Sequence, residues 1–296
     1  MGVQNPTSIS ITGVQLNPGT GLYDSSYSPG GGGGGGTAAW SDDFESGNNG
    51  DFLSTRGFIR TAGEVSTVRA YAGTKSAIHN QTLGSDMDQQ YGCARVLPEE
   101  LVQGDEFWLR TYFFFPTGWD FGNNGDAGLG GSAPRSKFFR LHTKTSGGAN
   151  KGYNDLYLYN QDSSTQRWNW IKEQIDLWAF DGLDGYAPGR PAAPNANITR
   201  NQWVPIEYYI KLHSDPAQAR VRVWVDNVLQ INITDLATLS LSTDVADEWQ
   251  FCTYYNGGAP ATQSMWTDNW EMYTSRTTGA PGNTDAGGNV FIGGAV

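Results

Sequence analysis

An all-β fold, two antiparallel sheets packed as a jelly-roll sandwich with an extended Gly-rich N-terminal arm and a C-terminal tail, is what this sequence predicts. Three observations predict it. The chain of 296 residues is 38% hydrophobic, 13% aromatic and only 17% charged, with 11 Trp and 14 Tyr, a composition weighted toward strand-forming side chains. Its apolar residues fall in short runs that alternate with polar ones and are punctuated by Gly, Asn and Asp clusters. No repeat recurs at a fixed period, which sets aside a parallel β-helix or a propeller.

Three segments differ in texture. Residues 1–39 read as an anchoring arm for a protein assembly partner, or else as a flexible tether: a short alternating run, turn residues, then seven consecutive glycines, Gly30–Gly36, with no side chain to pack. The sandwich is expected over 40–275. It opens on Trp40-Ser41-Asp42-Asp43-Phe44-Glu45 and closes on Trp266–Tyr273. Pairing such first and last strands removes two open edges. Between them strands are expected at Glu106–Phe115, Lys137–Thr143, Asp155–Tyr159, Ile171–Phe180, Trp203–Leu212, Ala219–Val225, Val228–Ile233 and Glu248–Tyr255. Asp226-Asn227 has the chemistry of a two-residue hairpin turn. Residues 276–296 are Gly-rich again and read as a tail.

Charge and processing signals narrow the partners. A net charge of −11 repels phosphate backbones and anionic headgroups, so neither nucleic acid nor membrane is expected. No run approaches the ~18 apolar residues that span a bilayer. The N-terminus lacks the basic and apolar regions of a Sec signal. Cys93 and Cys252 are far apart in sequence and read as small buried hydrophobes rather than a disulfide.

The histidines are isolated, no CxxC occurs, and the heptaglycine lacks the Lys-Ser/Thr of a phosphate loop. Glu173 and Asp176 are three apart and so fall on opposite faces of a strand, not the ~5 Å pair of a retaining glycosidase. The richer constellation is Arg135–Ser146 followed by Tyr153–Asn160. Alternation puts Lys137, Phe139, Leu141 and Thr143 on one face and Phe138, Arg140, His142 and Lys144 on the other, while Tyr157 and Tyr159 share a face of the next strand. Arg140, His142, Lys144, Tyr157, Tyr159 and Tyr255 are therefore the candidate groove residues. Three readings stay open. The groove binds glycan; or it catalyses β-elimination, with arginine neutralising a uronate carboxylate and Tyr or His moving protons; or the Tyr-x-Tyr pair simply packs across strands. Asp43, Glu45 and Asp268 are expected to approach one another if first and last strands pair, forming a structural calcium site or else remaining solvated edge carboxylates; no cofactor is otherwise required.

Trp249–Gly258, with Asp268-Asn269-Trp270 after it, resembles the closing strands of concanavalin-A-like polysaccharide lyases, most nearly those of family fourteen. Arg140-Leu141-His142 and Tyr157-Leu158-Tyr159 are similar to that family's active-site Arg strand and Tyr-x-Tyr strand. The resemblance implies a jelly roll that meets polysaccharide on its concave face, and lyase action on an anionic glycan as an alternative to binding. The family's serine two residues before the arginine is Phe138 here, and its Lys-Leu-Pro-Gly segment has no match, which favours binding without catalysis. The oligoglycine arm, acidic jelly roll and Gly-rich tail together resemble bacteriophage virion proteins such as capsid decoration proteins and fibres. That implies an extracellular or virion-surface location, reached by lysis without a signal peptide, and a cell-surface glycan or polysaccharide as partner.

Overall fold

The computed structural model describes residues 14–17, 21–24, 37–84, 92–122, 135–160, 166–174, 178–181, 198–251 and 255–293. Along the chain the strands are β1 (Val14–Asn17), β2 (Gly21–Asp24), β3 (Trp40–Asp42), β4 (Glu64–Ser66), β5 (Ser76–Gln81), β6 (Cys93–Leu101), β7 (Glu106–Phe114), β8 (Arg135–Thr145), β9 (Asn150–Asn160) and β10 (Gln166–Gln174). There follow β11 (Trp178–Asp181), β12 (Trp203–Lys211), β13 (Arg220–Val225), β14 (Val228–Ile233), β15 (Asp244–Phe251), β16 (Tyr255–Asn256), β17 (Gln263–Thr274), β18 (Asn283–Thr284) and β19 (Val290–Phe291). The only helical element among the described residues is a 3-10 turn at Leu53–Arg56.

The strands form a two-sheet antiparallel jelly-roll sandwich. The front sheet runs β11–β10–β9–β8–β15–β6, with β16 beside β8; the back sheet runs β14–β13–β12–β7–β17–β5–β4, with β3 beside β17. First and last sandwich strands do pair, Asp42 opposite Trp270. Asp226 and Asn227 both take positive φ, 51° and 61°, the left-handed turn that joins β13 to β14. The run expected as one strand over Ile171–Phe180 is instead the end of β10 and all of β11, antiparallel with Glu173 opposite Trp178. Continuous apolar alternation concealed that reversal. The heptaglycine, Asp176, Cys252 and Tyr254 lie outside the described residues; Cys93 is buried in the core.

Inward-facing residues of both sheets build one core. Phe107, Leu109 and Phe113 of β7, Val204, Ile206, Tyr208 and Ile210 of β12, and Phe139 and Leu141 of β8 belong to it. Their two-residue spacing is the strand period made visible. Trp249 of the front sheet stacks on Trp270 of the back sheet, centroids 5.1 Å apart.

The outer face of the back sheet is also buried. Trp108, Tyr209, Trp224 and Tyr273 point away from the core and pack with Phe291 and Ile292 of the C-terminal segment. Trp224 Nε1–H donates to Asp285 (2.9 Å), and Glu207 accepts the backbone N–H groups of Ile292 (2.7 Å) and Gly293 (3.2 Å). Arg110 lies 3.3 Å from the same carboxylate. Gly293 fits because a Cβ there would lie 2.5 Å from an Arg110 guanidinium nitrogen.

Burial raises the Glu207 carboxyl to about 7, outweighing Arg110 and the two N–H donors. A carboxyl raised on folding holds a proton that the unfolded chain has already released, so its contribution to stability falls as pH climbs from about 4.5 to 7. The loss is on the order of 3 kcal/mol. Urea unfolding across that window is expected to show it in the wild type, while Glu207→Gln, with nothing to titrate, gives a shallower pH slope.

Candidate functional site

The side of the front sheet turned away from the core carries a charged face built from β8, β9 and β15, buried around Arg140 and Asp155 and partly exposed around His142 and Lys144. Arg140, His142 and Lys144 alternate along β8; Tyr153, Asp155 and Tyr157 alternate along β9; Asp247, Glu248 and Gln250 come from β15. Register brings them together, with Arg140 opposite both Asp155 and Gln250, and His142 opposite Tyr153 and Glu248. A bulge in β15 between Ala246 and Glu248 puts Asp247 within reach of the same face.

Arg140 is 3% exposed and forks onto Asp155, Nε donating to Oδ1 (2.7 Å) and Nη2 to Oδ2 (3.2 Å). Its guanidinium carbon lies 3.5 Å from the centre of the Tyr153 ring, and Nη1 donates to Gln250 Oε1 (3.4 Å). Gln250 donates onward to Glu248 Oε1 (2.6 Å), which pairs with Arg60. Lys137 Nζ lies 3.9 Å from Asp155. Asp155 thus sits under two cations, and a hydrogen-bonded chain crosses three strands.

A second cluster is more open to solvent. His142 Nδ1–H donates to Asp247 Oδ1 (2.6 Å), and Nε2 faces Asn150 Oδ1 at 3.2 Å. Lys144 Nζ reaches Glu100 (2.7 Å) and Asp247 (3.0 Å). Its ammonium is held above the ordinary lysine value, first by the hydrogen bond to Glu100 and then by Asp247. Burial pushes the Asp247 carboxyl up, but hydrogen bonds from His142 and Lys144 outweigh it and leave the group below its usual range. The His142 and Tyr153 rings are 5.1 Å apart.

The structure therefore gathers Arg140, His142, Lys144 and Tyr157 on one face. Tyr159 belongs to the same strand, opposite Arg167, and its side chain lies outside what is described. Tyr255 is a correction. It pairs with Ser136, on the inward side of β8, and its ring is in the hydrophobic core, 1% exposed. A bulge between Lys137 and Phe139 makes a second correction: Phe138 packs inward with Phe139, while Lys137 joins the charged face. Tyr153, Asp155, Asp247, Glu248 and Gln250 went unseen in the sequence. Extending the Tyr-x-Tyr spacing back by two and four residues from Tyr157 finds Asp155 and Tyr153.

Asp43, Glu45 and Asp268 do not assemble into a metal site, and no cluster of three or more metal-ligating side chains occurs among the described residues. Each carboxylate is turned to backbone donors. Asp43 accepts from Glu45 N–H (3.1 Å); Glu45 accepts from Thr74 (2.8 Å) and Lys75 (2.7 Å); Asp268, which burial drives well above the usual carboxylate value, accepts from Tyr71 (2.7 Å) and Ala72 (3.3 Å).

No protein-family model matches the chain, and no curated protein matches it. Among solved structures it is similar to the endo-β-1,4-glucuronan lyase of the fungus Trichoderma reesei, at 13% identity and a TM-score of 0.52, over 80% of this chain and 95% of that one. It is similar to alginate lyase vAL-1 from Chlorella virus at 14% identity and TM-score 0.53, over 80% and 99%. A mutant of the alginate lyase Aly36B in complex with an alginate trisaccharide matches at 13% identity and TM-score 0.54, over 80% and 98%. At such identities the likeness establishes the shared β-sandwich jelly roll.

Because Arg140 and Asp155 are both buried, removing one partner strands the other's charge. Asp155→Ala is expected to cost about 3–5 kcal/mol in chemical denaturation. The double variant Asp155→Leu/Arg140→Met is expected to cost clearly less than the sum of its two single changes.

Proposed function

We propose that this chain is a glycan-binding jelly roll that holds polysaccharide along the charged face of its front sheet without cleaving it. The observation that carries the reading is charge balance. Arg140 and Lys137 meet Asp155, Lys144 meets Glu100 and Asp247, and Arg60 meets Glu248. β-Elimination needs a cation committed to the substrate carboxylate as negative charge develops at the neighbouring carbon. Here the arginine of the face is committed to an internal carboxylate instead. What the half-exposed part of the face offers is an aromatic ring, an imidazole, an ammonium and carboxylate oxygens, a set suited to hydroxyl groups and to the flat faces of pyranose rings.

Lyase action on a uronan is the second reading, favoured by the Tyr153 ring lying under the Arg140 guanidinium with the His142 ring 5.1 Å from it. Display on a larger extracellular particle, such as a virion, is a separate proposal. It rests on the oligoglycine arm, and on β1 and β2 forming a sheet of their own, apart from the sandwich.

Affinity electrophoresis and calorimetry against alginate, glucuronan and neutral glucans are expected to show binding, weakened about three- to tenfold by Tyr153→Ala or His142→Ala at unchanged melting temperature. The ultraviolet absorbance of unsaturated uronate is expected to stay flat. Steady product formation that disappears in Tyr153→Phe would replace binding with catalysis as the function. Deleting residues 1–39 is expected to abolish assembly while shifting the melting of the sandwich by no more than a few degrees; assembly that survives the deletion rules out the arm as anchor.

A further inference from the structure

A cleft of about 440 Å³ beside β3 is lined by Trp40, Ser41, Asp42, Asp43, Ser46, Thr55 and Arg56, none of which belongs to the charged face. From this geometry we infer a second binding site that takes one or two units of a neutral sugar, making the protein bivalent for glycan. The inference goes beyond the reading of the charged face and shares no residue with it.

The floor of the cleft is tied together by hydrogen bonds. Asp42 is buried; its Oδ2 accepts from Arg56 Nε (2.8 Å), and its Oδ1 accepts from Phe44 N–H (2.8 Å) and from Arg56 Nη2. Arg56 also donates to Ser46 Oγ (3.1 Å), and its guanidinium is held against Gly47, where a Cβ would lie 3.0 Å from Nη1. Phe44 is fully buried with φ at 61°, so the chain turns sharply after Asp43. Trp40 makes the wall, packed edge-on against Phe58 (5.2 Å) and beneath the Arg95 guanidinium (4.5 Å).

The chemistry of these groups selects the occupant by elimination. Two carboxylates against one arginine leave the cleft net negative, which disfavours phosphate, sulfate or a uronate. A divalent cation of the calcium type needs six to eight oxygens, and Asp42 has both of its own engaged by Arg56 and Phe44. The lining is predominantly polar, which disfavours an apolar ligand. What remains open is the Asp43 Oδ2 oxygen, the exposed hydroxyl of Ser41, the O–H donor of Ser46, whose oxygen already accepts from Arg56, and the partly exposed Trp40. A carboxylate oxygen accepting from sugar hydroxyls makes the stronger, charge-assisted kind of hydrogen bond. Serine hydroxyls both donate and accept, as a polyol requires.

The test is a ¹⁵N NMR titration of the full chain with cellohexaose, laminarihexaose and mannohexaose, following the Trp40 indole and the Ser41–Gly47 amides. At least one probe is expected to shift those signals, with alginate oligomers failing to displace it. Asp43→Ala is expected to weaken binding about tenfold. Asp43→Asn, which keeps the oxygen that accepts Glu45 N–H, is expected to weaken it at unchanged melting temperature, so loss of fold and loss of site are told apart. Lys144→Ala and Tyr153→Ala, on the charged face, are expected to leave these shifts intact. Absence of shifts with all three probes, wild-type affinity in both Asp43 variants, or binding abolished by a chelator would each overturn the proposal. Failure of the charged face to bind would remove the bivalence and leave the cleft as a sugar site on its own.

Discussion

Trp249 and Trp270 meet ring to ring between the sheets, 5.1 Å apart, and the outward chemistry of both sheets takes its register from that contact. Each indole buries roughly 200 Å² of surface, worth several kcal/mol, so a slip of one residue on either strand would be heavily penalised. With Trp249 locked inward, Glu248 and Gln250 must point outward, and there they continue the chain of hydrogen bonds that starts at Asp155. With Trp270 locked inward, a bulge between Asp268 and Glu271 is needed to keep β17 against β7. Asn269 takes a φ of 48° to make it, and Trp270 Nε1–H reaches back to Thr267 Oγ1 (3.0 Å).

How far the fold is legible in the sequence follows from how local each signal is. β13 and β14 alternate over most of their length, β7 and β12 are aromatic-rich runs buried on both faces, and Asp226-Asn227 announces its own turn, so those elements can be read from local pattern. The bulges cannot. Whether Lys137 or Phe138 faces the core is decided by Phe113 and Phe251, which pack on Phe138 from two other strands. The same holds for Tyr255, whose inward ring follows from pairing with Ser136. The candidate site divides along this line. Arg140, His142 and Lys144 share a face because they are two apart on one strand. Their partners Asp155, Asp247 and Gln250 are brought by cross-strand register, which no single-sequence pattern contains.

Those partners change what the face means. An isolated arginine between tyrosines suggests an anion receptor; an arginine forked by a buried aspartate, with a tyrosine ring against its plane, is a structural tie that holds β8 to β9. The cations on this face that lie near solvent, Lys144 and Arg60, are paired as well. On the proposed glycan-binding reading, selectivity would rest on hydroxyl geometry and ring stacking more than on net charge, in keeping with a chain whose overall balance is strongly acidic.

The place of β17 in the back sheet has a consequence for biosynthesis. It lies in the interior, between β7 and β5, and it also pairs with β3 from the opposite end of the sandwich. Until the ribosome has delivered residues 263–274, β7 and β5 each expose an unpaired edge, and the aromatic core lacks Trp270. The Glu207 carboxylate waits longer still, for Ile292 and Gly293. Closure therefore waits on strands late in the sequence and is dominated by contacts distant in sequence, the regime of slow folding in which open edges invite aggregation. Truncating the C-terminal end of a recombinant chain would reproduce that unfinished intermediate permanently.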